Sequence, residues 1–394
     1  MRIQDLVTGI QSPAELFMNA VSEQARHSEN LPYILTFAPL AQMNPFQRLL
    51  YCRAHQSGYA VVPTVHFENL ASVNWKDRSV IHLHWVASVL SGCTSTVEAK
   101  ERISAFEQEM LRWRRAGHAI VWTLHNVLPH NTQQLFENEI SLRKVLVKHC
   151  DLVHILSEAS VVEAKQYYDI PEEKVFFVPH PSYEGWYANV GDPVAARLDL
   201  GIEPDEFAFV QFGSLQPYKG VLELIQAFKV LKLRYPERRF RLIIAGNPSD
   251  KAYVEQVLSA SMGSYDIRII PSAMQEKEIQ TLFNAADIVV APYVKTLNSG
   301  VSLLAATFKK PLVAPNAAGV LQTFSEDSNL LYNALDEDGL LEALDRSLSY
   351  QISPEVFEDI LNRYRPAKIS KEFFEGLNQR LFKNQLDMKE GDVA

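Results

Sequence analysis

Short apolar runs alternate with amphipathic segments along most of the chain. In the second half, runs of strand length occur at Phe207–Phe212, Arg241–Ala245, Ile267–Ile270, Ile288–Pro292 and Pro311–Pro315. Apolar side chains recur at helical spacing between them, in Val221–Arg234, Gln275–Ala286 and Gly300–Phe308. Strands that alternate with helices in this order predict a parallel, doubly wound α/β sheet.

The first half repeats this alternation with different contents. Its apolar runs predict strands at Tyr33–Phe37, Ala60–Thr64, Val80–Trp85, Ala119–His125, Leu152–Ser157 and Val175–His180. Helical segments between them include Pro45–Ala54 and Glu101–Arg115, whereas the residues before about position 31 show no readable pattern. Because 394 residues exceed the usual size of a single core, we expect two domains.

Composition excludes several classes of protein. A net charge of −9 provides no basic footprint for nucleic acid. The cysteines, Cys52, Cys93 and Cys150, lie far apart without metal-ligand spacing, which indicates a reducing compartment and no disulfide framework. The N-terminal segment lacks the apolar core of a signal peptide, and no apolar run is long enough to span a bilayer. We therefore expect a cytoplasmic protein.

Two predicted strands of the second half lead into glycine turns that open helices. Gly213-Ser214-Leu215 and Lys219-Gly220 follow the first of these strands, and Ser299-Gly300-Val301 opens a later helix. A helix N-terminus offers unpaired backbone N–H groups and partial positive charge, which suit phosphate. Lys219 would add a full charge and Ser299 a hydroxyl donor. Together the turns predict a diphosphate site, although either turn alone is equally compatible with a structural role.

These turns resemble the donor half of GT-B glycosyltransferases, closest to glycosyltransferase family 4. In that family a G-R-L…K-G turn clamps the diphosphate, but Ser214 occupies the place of its arginine. The second family motif brackets a glycine turn with two glutamates, and this chain has Leu297 and Ala305 at those positions. The remaining S-G-V turn is similar to that of a branch of bacterial exopolysaccharide transferases. The departure leaves the stereochemical course open.

The resemblance implies two Rossmann-like domains that face each other across a cleft. The acceptor domain would span residues 1–186 and the donor domain residues 187–370, with a helix at 371–394 that packs back on the first domain in similar enzymes. The donor would be a nucleotide-diphosphate hexose of the GDP-mannose or UDP-glucose type. The acceptor would be a lipid-linked saccharide in bacterial exopolysaccharide or other surface glycan synthesis, which would bring the enzyme to the cytoplasmic face of the membrane.

All 11 histidines of the chain lie between His27 and His180. His125 ends a predicted strand in the sequence WTLHNVLPHN, and the resemblance implies that it contacts the transferred sugar. In an inverting enzyme His125 or His130 would deprotonate the acceptor hydroxyl, whereas in a retaining enzyme His125 would orient the donor sugar. His82 and His84 share one strand face, yet no metal-binding motif surrounds them. Hydrogen-bonded structural histidines are the alternative for the whole set.

Other positions carry weaker signals. Asn44 opens the first predicted helix, where it would contact diphosphate or acceptor or cap the helix. Asn247 would lie near the nucleotide base or form a turn. The cluster Arg112–Arg115 contains Trp113 and predicts either a membrane-facing patch or a solvated helix end.

No D-x-D pair ends a strand, so we expect neither an obligatory metal ion nor another cofactor. The functional alternative to a transferase is a catalytically silent nucleotide-sugar binding protein or partner subunit, which the missing arginine and glutamates favour.

Overall fold

The computed structural model describes residues 13–26, 32–41, 44–72, 79–129, 135–293, 300–324 and 330–382. The chain forms two compact units, of which unit 1 comprises residues 1–181 with 366–394 and unit 2 comprises residues 182–365. Each unit contains a six-stranded sheet whose paired strands are all parallel. The predicted α/β class with two doubly wound parallel sheets is therefore confirmed.

The sheet of unit 1 has the strand order β2-β1-β3-β4-β5-β6. Its strands are β1 (Tyr33–Ala38), β2 (Tyr59–Pro63), β3 (Ser79–Leu83), β4 (Ala119–Leu124), β5 (Leu152–Ile155) and β6 (Val175–Phe177). Its α-helices are α1 (Pro13–Ala25), α2 (Phe46–Leu50), α3 (Thr96–Arg115), α4 (Phe136–His149), α5 (Ala159–Ala164) and α14 (Pro366–Leu381). Strands β3 and β5 are buried along their whole length, as parallel strands covered by helices on both faces must be.

Helix α14 belongs to unit 1 although it lies at the far end of the sequence. Its Phe373 and Phe374 are fully buried in the same apolar cluster as Phe46 and Tyr59. The helix begins at Pro366, five residues before the predicted start at Lys371, because proline presets the helical backbone at a first turn. The aromatic side chains of this helix thus close one face of the sheet.

The sheet of unit 2 has the order β12-β11-β10-β7-β8-β9. Its strands are β7 (Phe207–Phe212), β8 (Phe240–Ala245), β9 (Ile267–Ile270), β10 (Ile288–Val290), β11 (Leu312–Pro315) and β12 (Leu331–Tyr332). Its α-helices are α6 (Pro193–Asp199), α7 (Val221–Arg234), α8 (Lys251–Ser261), α9 (Glu276–Ala285), α10 (Gly300–Thr307), α11 (Ala318–Leu321), α12 (Gly339–Ser347) and α13 (Pro354–Tyr364). Two apolar clusters cover the faces of this sheet.

Several strands of unit 1 end earlier than predicted. Strand β3 ends at Leu83 instead of Trp85, and β4 ends at Leu124 instead of His125. Trp85 has a φ of 23°, outside the extended region, so the apolar run continues after the strand has ended. The histidines predicted at strand termini therefore lie in, or directly before, the loops at the carboxyl edge of the sheet.

The arginine cluster on α3 does not form the exposed aromatic and basic patch that the membrane-facing interpretation requires. Trp113 is 1% exposed and lies in the core of unit 1. Arg114 donates hydrogen bonds to the His149 carbonyl and to Asp151, and Arg112 pairs with Glu109. The cluster is thus a helix end at which Arg112 and Arg114 are paired. Among the described residues, no helix combines the length and apolarity needed to cross a membrane.

Candidate active site

At the carboxyl edge of the unit 2 sheet, the turn that holds Gly213 is in close contact with Gly246, the residue after β8. The Gly213 amide donates to the Ala245 carbonyl oxygen at 3.0 Å, which joins the turn after β7 to the end of β8. A Cβ atom on Gly246 would lie 1.7 Å from the Gly213 carbonyl oxygen. Only glycine allows this approach, because any side chain would displace one of the turns.

Gly220 places the start of helix α7 directly beside the end of β10. Its φ of 64° is left-handed, and a Cβ atom there would lie 1.8 Å from the Pro292 carbonyl oxygen. The residue is also the N-cap of α7 and has no side chain with which to satisfy the first amides of that helix. The amides of Val221 and Leu222, the first two of the helix, instead donate to the Tyr253 hydroxyl at 3.1 and 3.3 Å. Lys219, directly before Gly220, is therefore the cationic group that this turn offers to an anion.

The Lys219 side chain is a partly buried cation held among aromatic rings. Its Nζ lies 4.0 Å from the ring centroid of Tyr293 and 5.0 Å from that of Tyr218. Burial lowers the pKa of Lys219, since its charge loses water. Among the described residues, no carboxylate lies within ion-pair distance of this ammonium group. The site thus has an excess of positive charge that an anionic ligand would neutralise.

Gln211 is a further donor-site candidate, one that sequence reasoning missed. Its side chain is fully buried, and both amide atoms lack a hydrogen-bond partner within the described part of the chain. A Cβ atom on Gly213 would lie 3.8 Å from Lys219 Nζ and 3.9 Å from Gln211 Nε2, so the two polar groups converge on one glycine. The signal was present in the sequence as a single amide within the apolar run FAFVQF.

The turn formed by Ser299, Gly300 and Val301 is described only in part. Ser299 lies outside the described residues, whereas Gly300 and Val301 begin helix α10. A Cβ atom on Gly300 would lie 2.8 Å from the Tyr183 hydroxyl, so this tyrosine approaches the helix start. Sequence reasoning assigned Tyr183 no contact there.

The other predicted binding residues lie in turns or at a helix start. Asn247 is exposed, and its carbonyl oxygen accepts from the amides of Leu215 and Ser249. Ser214 is half-buried in the turn after β7. In unit 1, Asn44 Oδ1 accepts from the Phe46 amide at 3.0 Å, which satisfies one of the first amides of α2. The ligand roles predicted for these residues remain predictions.

The carboxyl edge of the unit 1 sheet carries a continuous network of histidines. It comprises the Val178 carbonyl group and the side chains of His154, Thr123, His82, Tyr51, His84 and His125, which we call the histidine relay. Its bonds, taken in that order, measure 2.9, 2.9, 2.7, 2.7, 2.8 and 3.1 Å. The predicted candidate His125 is thereby joined to side chains on β3, β4 and β5 and to Tyr51, which directly follows α2.

The relay histidines are uncharged near neutral pH. Burial lowers the pKa of His154 to about 4, and it lowers the pKa values of His82, His84 and His125 well below the usual range. Neighbouring histidines lower the pKa values further, because a second positive charge nearby would repel the first. Burial also raises the pKa of the Tyr51 hydroxyl, which therefore remains protonated.

His125 is the relay residue closest to the surface. Its ring is half-buried, stacks on Trp85 at a centroid distance of 4.2 Å and meets the edge of Phe46 at 5.0 Å. It lines a pocket of about 70 Å³ together with Asn126, Pro129 and the buried Arg143. The rings fix the plane of the imidazole, so its orientation does not depend on a ligand. His130, the second histidine candidate, lies outside the described residues.

Three relay members carry no sequence signal of a site. His154 lies within β5, and Thr123 and Tyr51 are unremarkable in an apolar strand and an aromatic-rich segment. His82 and His84 do share a face, but Tyr51 Oη bridges them. Within the described ranges, no group of three or more histidine, cysteine or acidic side chains could hold a metal ion.

The chain is similar to known glycosyltransferases. Residues 206–349, all within unit 2, match the family model described as "Glycosyl transferases group 1". The chain is 26% identical over 286 residues to a GDP-mannose:glycolipid 4-beta-D-mannosyltransferase of Xanthomonas campestris, covering 71% of this chain and 72% of that protein. It is also 26% identical over 247 residues to a D-inositol 3-phosphate glycosyltransferase of Corynebacterium urealyticum, covering 61% of this chain and 58% of the relative.

Solved structures show the same fold at lower identity. The Anabaena protein HepE, crystallised with UDP and glucose, superposes with a TM-score of 0.64 at 14% identity over 88% of this chain and 99% of its own. A UDP-forming α,α-trehalose-phosphate synthase from Burkholderia xenovorans gives a TM-score of 0.59 at 18% identity, covering 79% of this chain and 75% of the synthase. The chain is therefore a glycosyltransferase with the GT-B fold, and it resembles the group 1 glycosyl transferases.

Proposed function

We propose that the enzyme transfers a hexose from a nucleotide-diphosphate sugar to a saccharide acceptor. The observation that carries the donor assignment is Lys219, a partly buried cation without a carboxylate partner among the described residues, in the glycine turn that precedes α7. In the transfer, the bond between the anomeric carbon and the diphosphate oxygen breaks while a bond to the acceptor oxygen forms. Lys219 and the turn amides would stabilise the charge that develops on the departing diphosphate.

His125 is the candidate for contact with the sugar. Its neutral ring can accept a hydrogen bond from a donor-sugar hydroxyl or take the proton of the acceptor hydroxyl. Because its pKa is depressed, the ring is a weak base at rest and a permanent hydrogen-bond acceptor at neutral pH. No metal ion is required by this scheme, since a lysine and backbone amides would supply the positive charge.

For the finer assignment we propose a GDP-mannose or UDP-glucose type donor and a lipid-linked saccharide acceptor in bacterial exopolysaccharide or other surface glycan synthesis. The name of the Xanthomonas relative supports a GDP-mannose donor and a glycolipid acceptor. The Anabaena complex with UDP and glucose supports a UDP-sugar instead. An acceptor on a lipid would bring the enzyme to the cytoplasmic face of the membrane.

The donor site is tested by calorimetric titration with GDP, UDP, ADP and dTDP in the presence of EDTA. We expect one nucleotide to bind saturably, and Lys219→Met to weaken it about 10- to 100-fold, since a hydrogen bond to a charged group contributes about 1.5–3 kcal/mol. Lys232→Met is the matched control, because Lys232 lies near the other end of α7 and pairs with Asp266. Equal affinity of the two variants would contradict the assignment of Lys219.

Turnover separates the transferase from a silent binding protein. With the nucleotide identified, the matching nucleotide-sugar and candidate acceptors are incubated with enzyme, and release of the nucleoside diphosphate is followed. Acceptor-dependent release supports transfer. Saturable binding without release for any acceptor supports the binding-protein alternative, which the absent arginine and glutamates favour.

Gln211→Leu is expected to stabilise the unliganded enzyme and weaken nucleotide binding. The substitution removes a buried amide that lacks partners in the described part of unit 2, so the free energy of unfolding of this unit should rise by about 1–2 kcal/mol. If the same amide contacts the donor, affinity should fall about tenfold. Denaturant unfolding and the nucleotide titration check the two effects. Gln256→Leu, on the exposed face of α8, should produce neither, and unchanged affinity in Gln211→Leu would remove Gln211 from the donor site.

A further inference from the structure

The histidine relay ends on a group that can only accept hydrogen bonds. His154 Nε2 lies 2.9 Å from the Val178 carbonyl oxygen. Because a carbonyl oxygen has no proton to donate, His154 must carry its proton on Nε2. The ring is neutral, since its pKa is about 4, so its Nδ1 is left as an acceptor. This contact sets the direction of every bond that follows.

The direction passes through Thr123 to His82. Thr123 must donate its single hydroxyl proton to His154 Nδ1, so its oxygen accepts from His82 Nε2 at 2.7 Å. Neutral His82 therefore has an unprotonated Nδ1, which accepts the hydroxyl proton of Tyr51 at 2.7 Å. The reverse direction would bring two lone pairs together at the Val178 carbonyl.

The same reasoning carries the direction from Tyr51 to His125. With its proton given to His82, the Tyr51 oxygen accepts from His84 Nε2 at 2.8 Å. His84 Nδ1 is then an acceptor, and at 3.1 Å it receives the Nε2 proton of His125. In the neutral state His125 consequently carries its proton on Nε2 and none on Nδ1.

We propose that the histidine relay is a tautomer-setting device that holds His125 in its Nε2–H form and presents Nδ1 as the unprotonated nitrogen to a sugar hydroxyl. The substrate part of this statement rests on the proposed function, whereas the tautomer does not. His125 is the candidate catalytic residue, and the other relay side chains are positioning residues. A histidine whose two nitrogens differ in protonation depends on such a partner for its role.

The relay orients a proton and does not conduct one. A proton that entered at His125 and moved inward would have to come to rest on a buried histidine such as His154, whose Nε2–H already faces a carbonyl oxygen. That carbonyl cannot accept the proton and pass on another. When Nδ1 takes a proton from a hydroxyl, the new charge therefore stays on the ring of His125, with His84 Nδ1 accepting its Nε2–H.

The proposal is tested by long-range 15N–1H correlation spectra of enzyme labelled at histidine, recorded at pH 7.5 without substrate. The His125 signals are assigned by their loss in His125→Gln. We expect a single neutral tautomer with protonated Nε2 and unprotonated Nδ1. A protonated Nδ1, or a rapidly averaged pair of nitrogens, would overturn the proposal.

Tyr51→Phe interrupts the relay with the loss of one oxygen atom. We expect the nitrogens of His125 to shift toward averaged values, because the Val178 carbonyl no longer determines their direction, and kcat to fall about tenfold at nearly unchanged KM for the donor. Tyr59→Phe is the matched control, since Tyr59 is buried in the same apolar cluster and donates to Asn378 instead. The control should leave the spectrum of His125 unchanged.

Thr123→Val provides a second interruption with little change in side-chain volume, in case Tyr51→Phe unfolds the unit. It breaks the bonds of Thr123 to both His82 and His154 and should also release the tautomer of His125. A fixed Nε2–H tautomer in every folded variant would overturn the relay. The expected spectra in an enzyme that transfers no sugar would support the relay and count against the proposed function alone.

Discussion

Unit 1 is expected to lose stability steeply as the pH falls from about 6.5 toward 4. The pKa of His154 is lowered to about 4 in the folded protein, against an ordinary value near 6.5. Between these values the unfolded chain binds a proton that the folded chain does not, so the stability present above pH 6.5 is lost on acidification. At pH 5 the fully buried His154 alone should lower the free energy of unfolding by about 2 kcal/mol relative to neutral pH. The lowered pKa values of His82 and His84 act in the same direction.

Hydrogen–deuterium exchange measures this loss separately for each unit. Opening free energies are compared at pH 7.5, 6.0 and 5.0 for peptides from β3 to β5, with peptides from β7 and β8 as the internal control, since all 11 histidines precede residue 181. His154→Phe should flatten the pH dependence, whereas His66→Gln, at an exposed position, should not. An opening free energy of unit 1 that is constant across this range would contradict the burial of neutral histidines.

Gly220→Ala is expected to destabilise unit 2 by about 3 kcal/mol and to abolish nucleotide binding in the calorimetric assay. The left-handed backbone at φ 64° costs a side chain about 1 kcal/mol, and the overlap of its Cβ with the Pro292 carbonyl oxygen at 1.8 Å forces the turn apart at a further cost of about 2 kcal/mol. The displaced turn also carries Lys219 and the start of α7.

Gly201→Ala is the matched control for this prediction. Gly201 has the same φ of 64°, but no atom lies within 4 Å of a Cβ placed there. Its substitution should cost only the backbone term of about 1 kcal/mol and leave nucleotide affinity intact. Denaturant unfolding of both variants, followed by titration with the nucleotide, gives the comparison. Equal losses of stability would show that the close approach to Pro292 contributes nothing.

The elements of unit 2 were the most predictable part of the fold. Strands β7 and β9 and helix α7 have the predicted bounds, because each is a continuous apolar run or an amphipathic repeat that ends at a glycine or a polar turn. In unit 1 the bounds were less accurate. Trp85 extends an apolar run beyond β3, and the amphipathic pattern of α4 was not recognised between two strands. Local pattern cannot separate an apolar loop residue from a strand residue.

The chain's own sequence determined the α/β class, the alternation in both halves and the glycine turns with Lys219, because these depend on neighbouring residues. The tertiary structure alone decided what surrounds them. Gln211 lacks hydrogen-bond partners among the described residues because β7 is buried at that point. The histidine relay joins positions from 51 to 178 through six hydrogen bonds. Parallel strands distant in sequence end at the same edge of a sheet, so residues without any local signal meet there.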